Sequence, residues 1–93
     1  MSDIFEELYE VIEDRRDNPS EDSYTSDLLE HDKGENMALE KLGEETTELI
    51  LASKDEEDVV SESADLVYHL FVVLAANGVE FEELKDELKQ RRG

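Results

Sequence analysis

The chain has 93 residues, and with 28 acidic against 9 basic side chains its formal net charge is -19. This length suits a single domain over residues 1–93. The negative charge repels nucleic acid and anionic lipid, and the absence of cysteine excludes disulfides and thiolate metal sites. We expect no secretion signal, because the N terminus lacks a basic and an apolar region. The longest apolar run, residues 66–76, is too short to span a bilayer, so the expected location is the cytoplasm.

Negative charge is spread along the whole chain rather than gathered in a tail. High charge with modest hydrophobicity is also typical of disordered chains, but the apolar residues here recur at regular helical spacing. Lysines are few, and a salt-rich cytoplasm would screen the mutual repulsion of so many carboxylates. The composition therefore predicts a halophilic protein that unfolds when salt is withdrawn.

Apolar spacing predicts helices along almost the whole chain, and no segment alternates as a strand does. The first helix begins near Ile4, with Ser2 or Asp3 as its N-cap, and stops before Asp17. Further segments with helical spacing or helix end signals cover residues 23–29, 36–53 and 57–76, and a last amphipathic helix carries Phe81, Leu84 and Leu88. The predicted fold is all-α, a small helical bundle of about four to five helices.

The two long helices each have one unusual feature. Gly43 lies inside the helix of residues 36–53, where it costs about 1 kcal/mol against Ala, so we expect close packing or a nearby ligand. The apolar side of that helix is predicted to consist of Leu39, Leu42, Leu49 and Ile50. Residues 66–76 are apolar around nearly the whole circumference, so this helix must be buried on all sides. The simplest enclosure is a homodimer in which the helix packs against its copy, and a central helix in a monomeric bundle is the alternative.

Acidic residues on the same two helices form the most informative pattern. Glu44, Glu45 and Glu48 project as one fan, and Glu62 and Asp65 share one side of the next helix. Such like charges repel, and burial beside apolar neighbours makes their ionisation costlier. A divalent cation converts this repulsion into ligation, so the five carboxylates are candidate Mg²⁺ ligands. In so acidic a chain, chance grouping on a solvated face is the alternative.

Two side chains near these carboxylates each have two interpretations. Lys41, one turn before the glutamates, is either a ligand for substrate phosphate or an ordinary helix ion pair with Glu45. His69, one turn after Asp65, is either a metal ligand or a hydrogen-bonded, half-buried histidine, and we favour the second. A di-iron site would need a glutamate three positions before the histidine, where Leu66 stands.

The carboxylate pattern resembles a known signature. Glu44-Glu45-x-x-Glu48 followed by Glu62-x-x-Asp65 is similar to the motif of the all-α, Mg²⁺-dependent MazG-like nucleoside triphosphate pyrophosphohydrolases. Within that superfamily the chain most resembles the phosphoribosyl-ATP pyrophosphatase family, over about residues 4–88. The further matching stretches are Leu8 to Ile12, Arg15-Arg16, Ser23-Tyr24-Thr25, Leu28-Leu29, Lys41-x-Gly43, Tyr68-His69-Leu70 and Gly78-Val79.

The resemblance implies an activity and a set of site residues. The activity is Mg²⁺-dependent hydrolysis of phosphoribosyl-ATP to phosphoribosyl-AMP and pyrophosphate, the second step of histidine biosynthesis. The implied metal ligands are Glu44, Glu45, Glu48, Glu62 and Asp65, and one of the first three is expected to act on the attacking water. The implied substrate-binding residues are Lys41, Lys33, Ser23, Tyr24 and Thr25. The resemblance also implies a homodimer, which the apolar helix indicates independently.

Two other functions remain open on the sequence. One is a house-cleaning pyrophosphohydrolase that acts on dUTP or damaged nucleotides, which keeps the metal chemistry and changes the substrate. The other is a non-catalytic acidic helical module that binds a basic partner, which would require no Mg²⁺ and would expose its carboxylates throughout. The position of Asp65 inside an apolar helix argues against the second of these.

Overall fold

The computed structural model describes residues 3–29 and 34–92, which form five helices and no strand. In chain order they are α1 (Ile4–Asp17), α2 (Tyr24–Leu29), α3 (Gly34–Asp55), α4 (Val59–Ala76) and α5 (Phe81–Arg91). The predicted all-α class and the order of the helices are confirmed. The helix boundaries differ from the predicted ones by about two residues, as is usual where end turns fray.

The helix ends are closed by side chains and backbone groups that the sequence already indicated. Asp3 is the N-cap of α1, since its carboxylate accepts a hydrogen bond from the Glu6 amide at 2.9 Å, while Ser2 lies outside the described residues. At the end of α4, Gly78 has a φ of 72°, and the amide of Val79 donates to the carbonyl of Leu74 at 3.0 Å. A left-handed glycine with this backbone bond is a Schellman ending, so the predicted stop is confirmed.

A short turn brings α3 and α4 together. Glu56 has a φ of 58°, in the left-handed region, and the amide of Glu57 donates to the carbonyl of Ala52 at 3.0 Å. Asp58 then caps α4 by accepting from the amide of Ser61 at 2.9 Å. The connection reverses the chain so quickly that the last turns of α3 lie against the first turns of α4, where the predicted carboxylates stand.

The buried core draws on four of the helices. It consists of Tyr9, Ile12, Leu28, Ala38, Phe71, Val72 and Ala75. The edge-to-face rings of Tyr9 and Phe71 lie 5.4 Å apart, and the ring of Phe81 from α5 lies 5.5 Å from that of Phe71. The hydroxyl of Tyr9 donates to the carbonyl of Val79 at 2.5 Å, which satisfies the buried phenol. α1 and α5 are thereby held against α4.

Three expectations about the long helices can be compared with the structure. On the side of α3 that carries Leu39, Leu42, Leu49 and Ile50, Leu39 is 49% and Ile50 is 63% exposed. A Cβ added at Gly43 would meet nothing within 4 Å among the described residues, so the prediction of close packing is wrong within one chain. Leu70 of α4 remains exposed, which agrees with the prediction that a chain of this size cannot enclose its apolar helix. Each of these surfaces is left open by one chain.

α4 also meets a length-and-composition criterion for a membrane-spanning helix, with 18 residues and a mean hydropathy of 1.5. The apolar segment is therefore longer than residues 66–76 alone indicated. This is weak evidence, because the central helix of a water-soluble bundle meets the same criterion. α4 packs against α1, α2 and α3 and carries Glu62 and Asp65, which is the pattern of a helix packed within a protein.

Candidate active site

Three of the predicted carboxylates meet between α3 and α4. One oxygen from each of Glu45, Glu48 and Glu62 lies within 4.8 Å of the other two, and these residues form what we call the carboxylate cluster. Glu45 and Glu48 are three residues apart on α3, so they share a face, and Glu62 is in the first turn of α4. The reversal at Glu56 turns the two acidic faces toward one another.

The cluster is electrostatically unfavourable when it holds only negative charges. Burial raises the pKa of Glu45 above its ordinary value of 4.5, and the adjacent charge of Glu48 raises it further. The pKa of Glu62 is raised for the same two reasons, burial first and then Glu48. Glu48 is therefore close to both of the others, and its charge disfavours the ionisation of each.

The same carboxylates have unsatisfied oxygen atoms. The Oε2 atoms of Glu45 and Glu62 are buried and have no hydrogen-bond partner in the part of the chain that the structure describes. Buried carboxylate oxygens without donors are costly, and a hard cation satisfies them because Mg²⁺ and Ca²⁺ take oxygen ligands. A donor set made only of carboxylates therefore fits a divalent cation of this class.

The other two predicted ligands lie beside the cluster rather than in it. Glu44 forms an ion pair with Lys41, with its Oε2 3.2 Å from the Nζ atom. Asp65 is exposed, although the sequence favoured a sheltered position, because the first turns of α4 lie at the surface of the single chain. The charge of Asp65 contributes, after burial and Glu48, to the raised pKa of Glu45, so the two carboxylates are close.

The predicted substrate-binding residues lie on α2 and α3. Lys41 pairs with Glu44 rather than with the predicted Glu45, although both positions lie within one helical turn of it. Ser23 directly precedes α2, and its hydroxyl accepts a hydrogen bond from the Ser26 amide at 3.1 Å. Tyr24 is half-exposed, and Thr25 hydrogen bonds through its hydroxyl to that of Tyr68. Lys33 lies outside the described residues.

His69 and Tyr68 join α4 to α2. His69 is buried, with Nδ1 2.7 Å from the carbonyl oxygen of Asp65 and Nε2 3.2 Å from the hydroxyl of Tyr24. The prediction of a hydrogen-bonded histidine is confirmed, and the burial is deeper than predicted. Sequence reasoning gave Tyr68 no role, although its position three residues after Asp65 places it on the same side of the helix.

Comparison with known proteins identifies the family. The family model described as phosphoribosyl-ATP pyrophosphohydrolase matches residues 5–92. A protein named phosphoribosyl-ATP pyrophosphatase from Haloarcula marismortui is 56% identical over 92 residues, which cover 97% of this chain and 94% of the relative. Proteins of the same name from Haloquadratum walsbyi and Methanocella arvoryzae are 54% and 51% identical, over 95% and 99% of this chain and 90% and 99% of theirs. The halophilic archaea among these sources agree with the salt adaptation that the composition predicts. The chain belongs to the phosphoribosyl-ATP pyrophosphohydrolase family.

Proposed function

We propose that this chain hydrolyses the bond between the α- and β-phosphates of phosphoribosyl-ATP and releases phosphoribosyl-AMP and pyrophosphate, as the second step of histidine biosynthesis in the cytoplasm. Family membership over nearly the whole chain supports the substrate. The observation that carries the chemistry is the carboxylate cluster, whose three residues all lie within the matched segment. A non-catalytic acidic module has no need of carboxylates whose buried oxygens lack a partner.

The cluster is proposed to hold Mg²⁺ through Glu45, Glu48 and Glu62, with Asp65 and Glu44 completing the ligand set. Three observations support this assignment: the short distances between the three carboxylates, the lack of a hydrogen-bond partner for the Oε2 atoms of Glu45 and Glu62 among the described residues, and the raised pKa of Glu45. When bound, Mg²⁺ supplies charge neutralisation at the phosphates and acidifies a water molecule. Because Mg²⁺ keeps several positions for water and phosphate oxygens, a few carboxylates suffice to bind it.

The attacking water must lose a proton, and the candidates for the base are Glu44, Glu45 and Glu48. Glu44 differs from the other two because its carboxylate lies outside the cluster. It can accept a proton without giving up a contact within the cluster. A Glu44→Gln variant separates the roles: loss of turnover with Mg²⁺ binding intact supports Glu44 as base, whereas loss of Mg²⁺ binding supports it as ligand.

The substrate is proposed to approach between α2 and the cluster. Lys41 lies at the edge of the cluster and, with Lys33, is proposed to bind the triphosphate as a point charge. Ser23, Tyr24 and Thr25 are proposed to line the site from α2. In a chain of net charge -19, a polyanion is attracted only where lysines and a bound cation reverse the local sign.

We further propose that the chain is a single domain that forms a homodimer through α1, α4 and α5. An apolar groove of about 460 Å³ runs between these helices and is lined by Phe5, Val67, Leu70, Leu84 and Leu88, among others. A second apolar cavity shares Phe5 and Val67 with it, so the apolar surface is continuous. A second copy offers the same apolar surface, and a two-fold contact buries both at once. In sedimentation experiments Leu70→Glu is expected to convert a dimer to a monomer, and a monomeric parent protein would contradict the proposal.

The deciding experiment measures pyrophosphate release from phosphoribosyl-ATP in high KCl, with and without Mg²⁺, and with dUTP in parallel. Turnover of phosphoribosyl-ATP that requires Mg²⁺ is expected. Preference for dUTP would assign the house-cleaning activity instead, and no turnover of either by folded protein would favour the binding module. Asp65→Asn relieves repulsion and should keep the fold, so it tests the ligand set: full activity in this variant would remove Asp65 from the site.

A further inference from the structure

We propose that His69 is a positioning residue that holds Tyr24 over the substrate site as a hydrogen-bond acceptor for the nucleoside part of the substrate. This inference rests on the proposed hydrolysis of phosphoribosyl-ATP and adds to it a division of labour. Tyr24 contacts donor groups of the sugar or base, and the lysines contact the phosphates. His69 itself acts only through Tyr24.

The direction of the hydrogen bonds follows from what each atom can do. The carbonyl oxygen of Asp65 can only accept, so the Nδ1 atom of His69, 2.7 Å away, must carry the proton. In the neutral imidazole the Nε2 atom is then an acceptor. The hydroxyl of Tyr24, 3.2 Å from Nε2, therefore donates its single proton to His69. What Tyr24 can still offer is the lone pairs of its oxygen.

Ring contacts hold Tyr24 in the same orientation. Its ring is stacked on that of Tyr68, with centroids 6.3 Å apart and planes at 22°. Tyr68 in turn meets the His69 ring edge-to-face at 4.9 Å and hydrogen bonds to Thr25 of the same short helix. Two side chains of α2 are thus fastened to two consecutive side chains of α4. A six-residue helix has little stability alone, so these contacts hold α2 in place together with the burial of Leu28 in the core.

The held side chain lies next to the proposed site and is open to solvent. Tyr24 is 47% exposed, whereas His69 behind it is buried. Tyr24 hydrogen bonds to His69, and His69 contacts the carbonyl oxygen of Asp65, one turn before it on α4. The exposed hydroxyl of Tyr24 therefore lies two side chains from the carboxylates that α4 carries.

An acceptor at this position recognises a particular part of the substrate. A phosphate oxygen carries no proton at neutral pH, so it cannot donate to the oxygen of Tyr24. Ribose hydroxyls and an exocyclic amino group can donate, and the exposed ring offers a face for a base. Because this contact is present in the ground state and in the transition state alike, losing it should raise KM and leave kcat nearly unchanged.

The test compares Tyr24→Phe, His69→Phe and the double variant by steady-state kinetics with phosphoribosyl-ATP at saturating Mg²⁺. Phenylalanine at position 69 keeps an aromatic ring against Tyr68 and removes both hydrogen bonds. Each single variant is expected to raise KM by about twofold to tenfold, the range for one neutral hydrogen bond, with kcat within about twofold. The KM of the double variant should be no higher than that of the single variant with the higher KM, since both substitutions remove the same contact.

Tyr9→Phe is the matched control. It also removes one tyrosine hydroxyl that bonds to another part of the chain, but Tyr9 lies in the core and bonds to Val79. It should lower Tm without changing KM. An unchanged KM in both Tyr24→Phe and His69→Phe would overturn the positioning role. A double variant whose fold-increase in KM equals the product of the two single increases would also overturn it. If His69→Phe fails to fold, Tyr24→Phe still decides whether the hydroxyl of Tyr24 contacts the substrate, and His69→Leu takes the place of His69→Phe in the test of positioning. An inactive wild-type protein would instead overturn the proposed function, which separates the two failures.

Discussion

Glu48→Gln is the substitution that most directly tests the carboxylate cluster. It replaces a carboxylate by an amide of the same shape at the centre of three like charges. Two opposite effects are expected. The metal-free protein should become more stable, because repulsion of Glu45 and Glu62 is removed, and the protein should lose Mg²⁺ binding and turnover, because a ligand is removed.

The size of the stabilisation follows from the geometry. The oxygens of Glu45 and Glu48 lie within 4.8 Å of one another. Two unit charges at that separation repel by about 0.9 kcal/mol at the dielectric constant of water, which sets the lower limit for a pair at a protein surface. A gain of about 1 kcal/mol raises Tm by about 4–8 °C in a domain of this size. In molar salt the Debye length is about 3 Å, so most of the gain should disappear.

Thermal melts by circular dichroism, at several KCl concentrations with and without Mg²⁺, measure both effects. Glu40→Gln is the control, because Glu40 is exposed on the same helix outside the cluster and the change in net charge is identical. Wild-type protein should gain stability from Mg²⁺ and Glu48→Gln should not. If Glu48→Gln melts no higher than Glu40→Gln without Mg²⁺, or gains as much from Mg²⁺ as wild type, the cluster is not a strained cation site.

Three further predictions concern a change of pH, the substitution of Gly43 and the withdrawal of KCl. Burial and Glu48 raise the pKa of Glu45 and Glu62, so the metal-free protein should lose stability as the pH rises through the raised values. As the pH falls through the same values, protons displace Mg²⁺, so calorimetric titration should show the affinity for Mg²⁺ already falling while the pH is still above 4.5. A loss of affinity that begins only below pH 4.5 would contradict the raised pKa. Gly43→Ala should raise the free energy of unfolding in urea by about 1 kcal/mol, since an added Cβ meets nothing within 4 Å, and a decrease would mean that a second copy or ligand covers this position. Withdrawal of KCl should lower Tm, because net charge -19 is then unscreened, and an identical melt at low and molar KCl would refute salt adaptation.

The helices were predictable because their signals are local. Helical periodicity, the Asp3 cap and the Asn77-Gly78 stop each act over a few residues, and all three were confirmed. Which side of a helix is buried is not local. On α3 the small residue Ala38 is in the core while Leu39 is exposed, since burial depends on where α2 and α4 approach. Hydrophobicity alone would have predicted that Leu39, and not Ala38, is buried.

The candidate site was predictable to the level of residue types and faces. Spacing on two helices predicted a set of five carboxylates, Glu44, Glu45, Glu48, Glu62 and Asp65. Three of them, Glu45, Glu48 and Glu62, meet in the structure because a short turn leaves little freedom in how the hairpin closes. Spacing did not separate Glu44 from the cluster, since positions three and four residues after Lys41 are equally close on a helix. The contact of His69 with Tyr24 spans 45 residues, and no local signal indicates it.

The acidity of this chain has two physical components, and they respond to different cations. Most carboxylates are exposed to solvent, so a monovalent salt screens their repulsion without binding at a particular place. Within the cluster the oxygens lie closer than a Debye length at ordinary ionic strength, and two of them are buried without donors among the described residues. Screening by mobile ions does not satisfy such atoms, whereas a bound divalent cation does. At ordinary ionic strength, where the Debye length of about 8 Å exceeds the separations in the cluster, the stabilising effects of KCl and Mg²⁺ should therefore add, and Glu48→Gln should remove the effect of Mg²⁺ while leaving most of that of KCl.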